Sequence, residues 1–244
     1  MIWFSGMGRL GRALLCAVGI VLVAQPQHAL AVPKEIIILR HGEKKNPFEL
    51  CTVGVQRSLA LRATYLGQGA SDSLFAPGEA PAAFFAITLH TLDLASPSAA
   101  SWKVPVVNYS VVPLKGVAGY DEEAELDERT REAAADVMTN PVWDGKIVVM
   151  VWEHKHIANS KIEKRSADPV TLRDLLNLSA LGKTVPKKWS GTNYDYFWIV
   201  RYSPGSATPV SFEAVKQVFG PAFGGVPQND WETPNGLTAD SGCE

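Results

Sequence analysis

The chain has 244 residues, 46% of them hydrophobic and 20% charged, with 23 basic against 25 acidic side chains and a formal net charge of −2. A mildly acidic balance excludes the basic face that nucleic-acid binding needs, so no nucleic-acid partner is expected. The length and apolar content are comfortable for one domain with a full core.

The first segment is set apart from the fold. Met1 to Ala31 has a short basic region at Arg9 and Arg12, an apolar run from Ala13 to Ala24, and a small-residue ending, Ala29-Leu30-Ala31. This is the three-part pattern of a secretory signal peptide. The apolar run is only about a dozen residues, short of the roughly 20 that a membrane-spanning helix needs, so no stable membrane span is expected after cleavage. An uncleaved amino-terminal anchor is the alternative, and under either reading the rest of the chain is exported, to the periplasm or the medium. Cys16 lies inside the run with no processing site after it, which weakens a lipoprotein reading. Cleavage leaves residues 32–244 as one domain of ~213 residues, with a net charge of about −4. It also leaves two cysteines, Cys51 and Cys243, and an even pair in an oxidising compartment invites a disulfide.

Strands and helices alternate along that domain. Glu35 to Leu39 contains a continuous apolar run, as expected of a strand covered on both faces. Thr52 to Leu66 reads as a helix with Val55, Leu59, Ala63 and Leu66 on its apolar stripe. Phe84 to Leu89 reads as a strand, Thr91 to Trp102 as a helix despite Pro97, and Val104 to Val107 as a short strand. Glu122 to Met138 is acidic at its start, Ala-rich, and stopped by Asn140-Pro141, all helix signals. Ile147 to Trp152 is again wholly apolar, Val170 to Leu178 reads as a helix, and Tyr196 to Tyr202 as the last strand. The pattern predicts an α/β fold: a three-layer α/β/α sandwich around a mostly parallel sheet.

In open α/β sheets ligands bind beyond the carboxyl ends of the strands. Two histidines fall there, His41 after the first strand and His154 after the Ile147 strand. Arg40 beside His41 can hold two phosphate oxygens at once, Gly42 allows the backbone to turn sharply, and the imidazole can attack phosphorus. Attack needs a neutral ring whose other nitrogen is fixed by a hydrogen bond. Arg57 reads either as a helix-surface residue or as part of the pocket, and Lys44 and Lys45 either steer an anion or simply solvate a loop. His154 and His156 are spaced to share one strand face and so could be metal ligands, but no third ligand stands out nearby. No metal and no cofactor are expected. Tyr194, Tyr196, Phe197 and Trp198 read as packing residues.

Arg40-His41-Gly42 at the end of the first strand resembles the signature of the histidine phosphatase superfamily, which includes phosphoglycerate mutases and acid phosphatases. The Leu50 to Ser58 segment is similar to that family's first helix start. Val151 to Ile157 is similar to the strand end that carries a second catalytic histidine, in the Trp-Glu-His form of an exported, poorly characterised bacterial branch. Tyr194 to Arg201 resembles that branch's closing strand. The resemblance implies a phosphoglycerate mutase-like fold, a phosphorylated small molecule or other phosphomonoester as substrate, and a phosphohistidine intermediate on His41. Arg40 and His154 would then hold the equatorial oxygens, and a carboxylic acid would protonate the leaving group. That acid is either Glu153 or one of Asp121, Glu122 and Glu123, and alternation along a strand argues against Glu153 facing the same way as His154. One departure stands out. His90 occupies the position where the family supplies a second phosphate-binding arginine. Losing that guanidinium fork would cost on the order of 100-fold or more in rate. A catalytically impaired chain that binds a phosphorylated or anionic ligand is therefore the alternative.

Overall fold

The computed structural model describes Met1 and residues 31–244. The basic region and apolar run of the expected signal peptide lie outside the described residues. Among the described residues no helix is long and apolar enough to cross a membrane.

Six strands form one sheet: β1 (Glu35–Arg40), β2 (Pro81–Thr88), β3 (Val106–Val111), β4 (Ile147–Trp152), β5 (Tyr196–Tyr202) and β6 (Pro209–Lys216), in the order β3-β2-β4-β1-β5-β6. β3, β2, β4 and β1 run parallel, whereas β5 is antiparallel to β1 and β6 antiparallel to β5. The sheet is therefore mixed, where the alternating pattern predicts a mostly parallel one. β5 and β6 run antiparallel because a short turn around Pro204-Gly205 joins them, whereas the antiparallel pairing of β5 with β1 joins segments distant in sequence. β6 goes unnoticed in the sequence because it is an edge strand, opened by Pro209 and half-exposed along its length.

β1 and β4 are buried at every position, because each strand feeds two cores. Ile36, Ile38, Val148, Met150 and Trp152 face one side, against helices α3 (Glu122–Thr139) and α6 (Leu172–Leu175). Ile37, Leu39, Val149 and Val151 face the other, against α1 (Thr52–Leu61) and α2 (Leu89–Trp102). The Val170 to Leu178 helix shrinks to the single turn of α6, preceded by α5 (Ser160–Arg165), and the Val104 to Val107 strand shifts to Val106–Val111.

Of the apolar stripe assigned to the first helix only Leu66 is buried. Val55, Leu59 and Ala63 are exposed, and the buried positions are Gly54, Arg57, Ser58, Ala60 and Leu61. The helix is also shorter than expected, passing into a π-helical turn at Arg62–Leu66. Two features turn α1 inward on a polar face. Gly54 lies so close to the Glu43 carbonyl that a Cβ would stand 2.2 Å from its oxygen. Arg57 is buried because two carboxylates neutralise it: Nη2 is 2.7 Å from Glu43 and 2.8 Å from Asp195.

Candidate active site

The carboxyl ends of β1, β2 and β4 lie side by side, and the residues that follow them converge. β1 delivers Arg40 and His41, the Thr88 turn delivers His90, and β4 delivers Glu153 and His154. Thr88 caps α2 reciprocally with Thr91, which fixes where the His90 side chain leaves the helix. A cavity of about 440 Å³ opens beside the cluster, lined among others by Lys44, Thr88, His90, Glu153, His154 and Lys155, with Asp121 to Glu123 also on its wall.

His41 is held by its Nδ1, 2.7 Å from the Gly42 carbonyl. A carbonyl can only accept, so Nδ1 carries the proton and Nε2 presents its lone pair. Burial, reinforced by the Arg40 charge, pushes the His41 pKa well below the usual imidazole range, and the ring is neutral. Gly42 serves close packing rather than a sharp turn: its φ is ordinary, and a Cβ there would meet Leu94 and Leu50 at 3.1 and 3.2 Å.

Arg40 Nε donates to His41 Nε2 at 3.2 Å. Its Nη1 donates to the Gly191 carbonyl at 2.7 Å, with those of Ser190 and Asn193 at 3.3 and 3.2 Å. The guanidinium also lies over the Tyr194 ring, 3.8 Å from its centroid. Tyr194 is thus part of the site's framework, where the sequence suggests only packing. The signal that could have found it is strand direction: β5 is antiparallel to β1, with Leu39 opposite Phe197. The residues before β5 therefore stand beside those after β1.

Glu153 points into the cluster, against the alternation argument. β4 ends at Trp152, and Glu153 caps α4 (His154–Ile157), so strand alternation no longer applies. Its Oε2 is 3.5 Å from His41 Nε2 and its Oε1 2.6 Å from His90 Nε2. His90 Nδ1 donates to the Pro47 carbonyl at 2.9 Å, so a single proton lies between His90 Nε2 and the Glu153 carboxylate. Burial works against the Glu153 charge, but the hydrogen bond from His90 and the Lys44 ammonium outweigh it and hold the carboxyl well below its usual range. His154 stacks at a tilt on His41, ring centroids 5.7 Å apart. Burial and the Arg40 charge lower its pKa to about 3.

The short helix α4 also separates the two histidines proposed as a metal pair. His156 turns away and bonds Asp127 of α3 at 2.9 Å. Arg57 does not line the cavity: besides Glu43 and Asp195, it donates to Gln217 at 2.9 Å. Cys51 and Cys243 form a disulfide with Cα atoms 5.3 Å apart. The bond brings the tail to the site loop, where the Glu244 N–H donates to the Lys44 carbonyl at 2.7 Å.

A scan against protein families finds no match, and no curated protein matches the sequence. Several solved structures are similar. A mycobacterial glucosyl-3-phosphoglycerate phosphatase shares 13% identity over 75% of this chain and 98% of its own, with a TM-score of 0.41. A protein described as mycobacterial hydrolase 2 shares 14% identity over 86% of this chain and 94% of its own, with a TM-score of 0.38. SixA of Agrobacterium tumefaciens, assigned as a phosphohistidine phosphatase, shares 12% identity over 75% of this chain and 99% of its own, with a TM-score of 0.32. Likeness at this level leaves the activity to be argued from the site itself.

Proposed function

We propose that this chain is an exported phosphomonoesterase of the histidine phosphatase superfamily, with a phosphoglycerate mutase-like three-layer fold, acting through a phosphohistidine on His41. The observation that carries this reading is the His41 Nδ1–Gly42 hydrogen bond at 2.7 Å, which puts the proton on Nδ1 and leaves the Nε2 lone pair on the side of Arg40 and Glu153. Nε2 attacks phosphorus of a phosphomonoester and displaces the alcohol. Arg40 and His154 hold the equatorial oxygens and stabilise the charge that builds on them. Glu153, which stands 3.5 Å from His41 Nε2, takes the acid–base role as a carboxylate: it relays the proton it shares with His90 Nε2 to the leaving oxygen, then accepts one from the water that cleaves the P–N bond and returns it to that contact. Export is supported by the signal-peptide pattern of residues 1–31 and by the Cys51–Cys243 disulfide, a bond that persists mainly in oxidising compartments.

The test is phosphate release from an aryl phosphate between about pH 4 and 8. Turnover should vanish in His41→Ala, and the wild-type chain should carry an acid-labile phosphoryl group after a non-acidic quench. One observation favours a second reading, in which the chain binds a phosphorylated ligand without turnover. His90 stands in place of a guanidinium, with both ring nitrogens engaged by protein groups. Vanadate binding without turnover at any pH supports that reading and sinks the enzyme.

A further inference from the structure

Two imidazoles at this site share a geometry that the phosphatase reading accounts for at His41 but not at His90. His41 Nδ1 and His90 Nδ1 each donate to a backbone carbonyl, of Gly42 at 2.7 Å and of Pro47 at 2.9 Å. Each ring is thereby oriented with Nε2 toward the same carboxylate, Glu153, and the three ligand atoms lie within 4.8 Å of one another. A backbone carbonyl on the far nitrogen is how metal-binding histidines are held in position. Two ligands about 2.0–2.1 Å from a tetrahedral ion stand roughly 3.3 Å apart, close to the 3.5 Å between His41 Nε2 and Glu153, whereas His90 Nε2 and Glu153 Oε1, 2.6 Å apart across a hydrogen bond, separate by several tenths of an ångström to share the ion. A phosphate clamp, by contrast, would aim the His90 N–H at the ligand rather than at a carboxylate.

We infer that His41, His90 and Glu153 form a binding site for one imidazole-preferring divalent ion of the Zn²⁺ class, with a fourth position open to the cavity. Two nitrogens and a single carboxylate favour such an ion over Mg²⁺ or Ca²⁺, which take oxygen ligands. Binding moves the Arg40 Nε contact off His41 Nε2 and expels the proton between His90 and Glu153 to solvent. The bound ion occupies the lone pair that would attack phosphorus, so Zn²⁺ and phosphohistidine formation exclude each other. This last consequence rests on the phosphatase reading; the ion site does not.

The test is a calorimetric titration of the purified chain with Zn²⁺ against a competing chelator. One ion should bind per chain, with affinity reduced by roughly 100-fold or more in His41→Ala and in His90→Arg, and unchanged in His156→Ala, whose ring pairs with Asp127 outside the cluster. Circular dichroism establishes that each variant is folded. Co²⁺ added to the unmutated chain provides a check independent of mutation, and should give the visible absorption of a tetrahedral ion. Absence of stoichiometric binding, equal affinity in all variants, or a colourless Co²⁺ complex overturns the site. Binding is read without turnover: a chain that takes up Zn²⁺ but never hydrolyses phosphate defeats only the phosphatase reading. One that hydrolyses phosphate and binds no ion defeats only this inference.

Discussion

His41, Glu153 and His154 stand within one cluster, and each is set by a different neighbour. A carbonyl fixes the His41 tautomer, His90 shares a proton with Glu153, and burial beside the Arg40 charge keeps His154 neutral. Glu153→Gln keeps the shape and loses the proton, so kcat should fall about 10²–10⁴-fold for alkyl phosphates. The loss should be smaller for nitrophenyl phosphate, whose leaving group needs no proton; comparing the two substrates checks the role. His154 makes a separate prediction about stability. Its pKa is about 3 in the folded chain against 6.5 for an ordinary imidazole. Between those values the unfolded chain binds a proton that the folded chain refuses, so stability rises with pH across the window and is lost as pH falls from about 6.5 toward 3. Denaturant melts at several pH values, in chelator, should show a shallower acid loss in His154→Gln. That His41 and His154 form a pair was readable from two apolar strands each ending in a histidine. That Glu153 joins them was not, because whether a strand stops one residue earlier or later is decided by the turn it enters.

Among the elements, α1 shows how a polar side chain can overturn a periodicity argument. Its apolar residues Val55 and Leu59 face solvent, while Arg57 sits at 1% exposure between Glu43 and Asp195. Burial alone would lower the Arg57 pKa, and the two carboxylates raise it instead, so the charge is retained. Through this residue α1 is tied to the segment after β1 and to the entry of β5. Arg57→Met should leave both carboxylates buried without their partner and cost about 3–5 kcal/mol, read as a drop in denaturant midpoint at unchanged m-value. If stability barely changes while KM rises, Arg57 belongs to the substrate pocket after all. The helix itself was legible from composition. Its orientation was not, since Glu43 and Asp195 are far from Arg57 in sequence and only tertiary contact reveals them as its partners.

Across the whole molecule the disulfide joins positions 192 residues apart, and so constrains nearly all of the folded domain. Cys243→Ser should destabilise by about 2–4 kcal/mol, seen as a lower Tm that reductant reproduces in the unmutated chain. The same change should release Glu244 from the Lys44 carbonyl at the rim of the cavity. The sequence by itself determined the alternation of strands and helices, the two histidines at strand ends, and the candidate cysteine pair. These rest on local information: apolar runs, residue types and spacing act through the nearest few residues. Only the tertiary structure decided the mixed sheet, the Tyr194 platform under Arg40, the inward turn of Glu153 and the diversion of His156 to Asp127. Each of those depends on strand direction or on a partner distant in sequence, and the free energy that selects it is realised only when both segments are buried together.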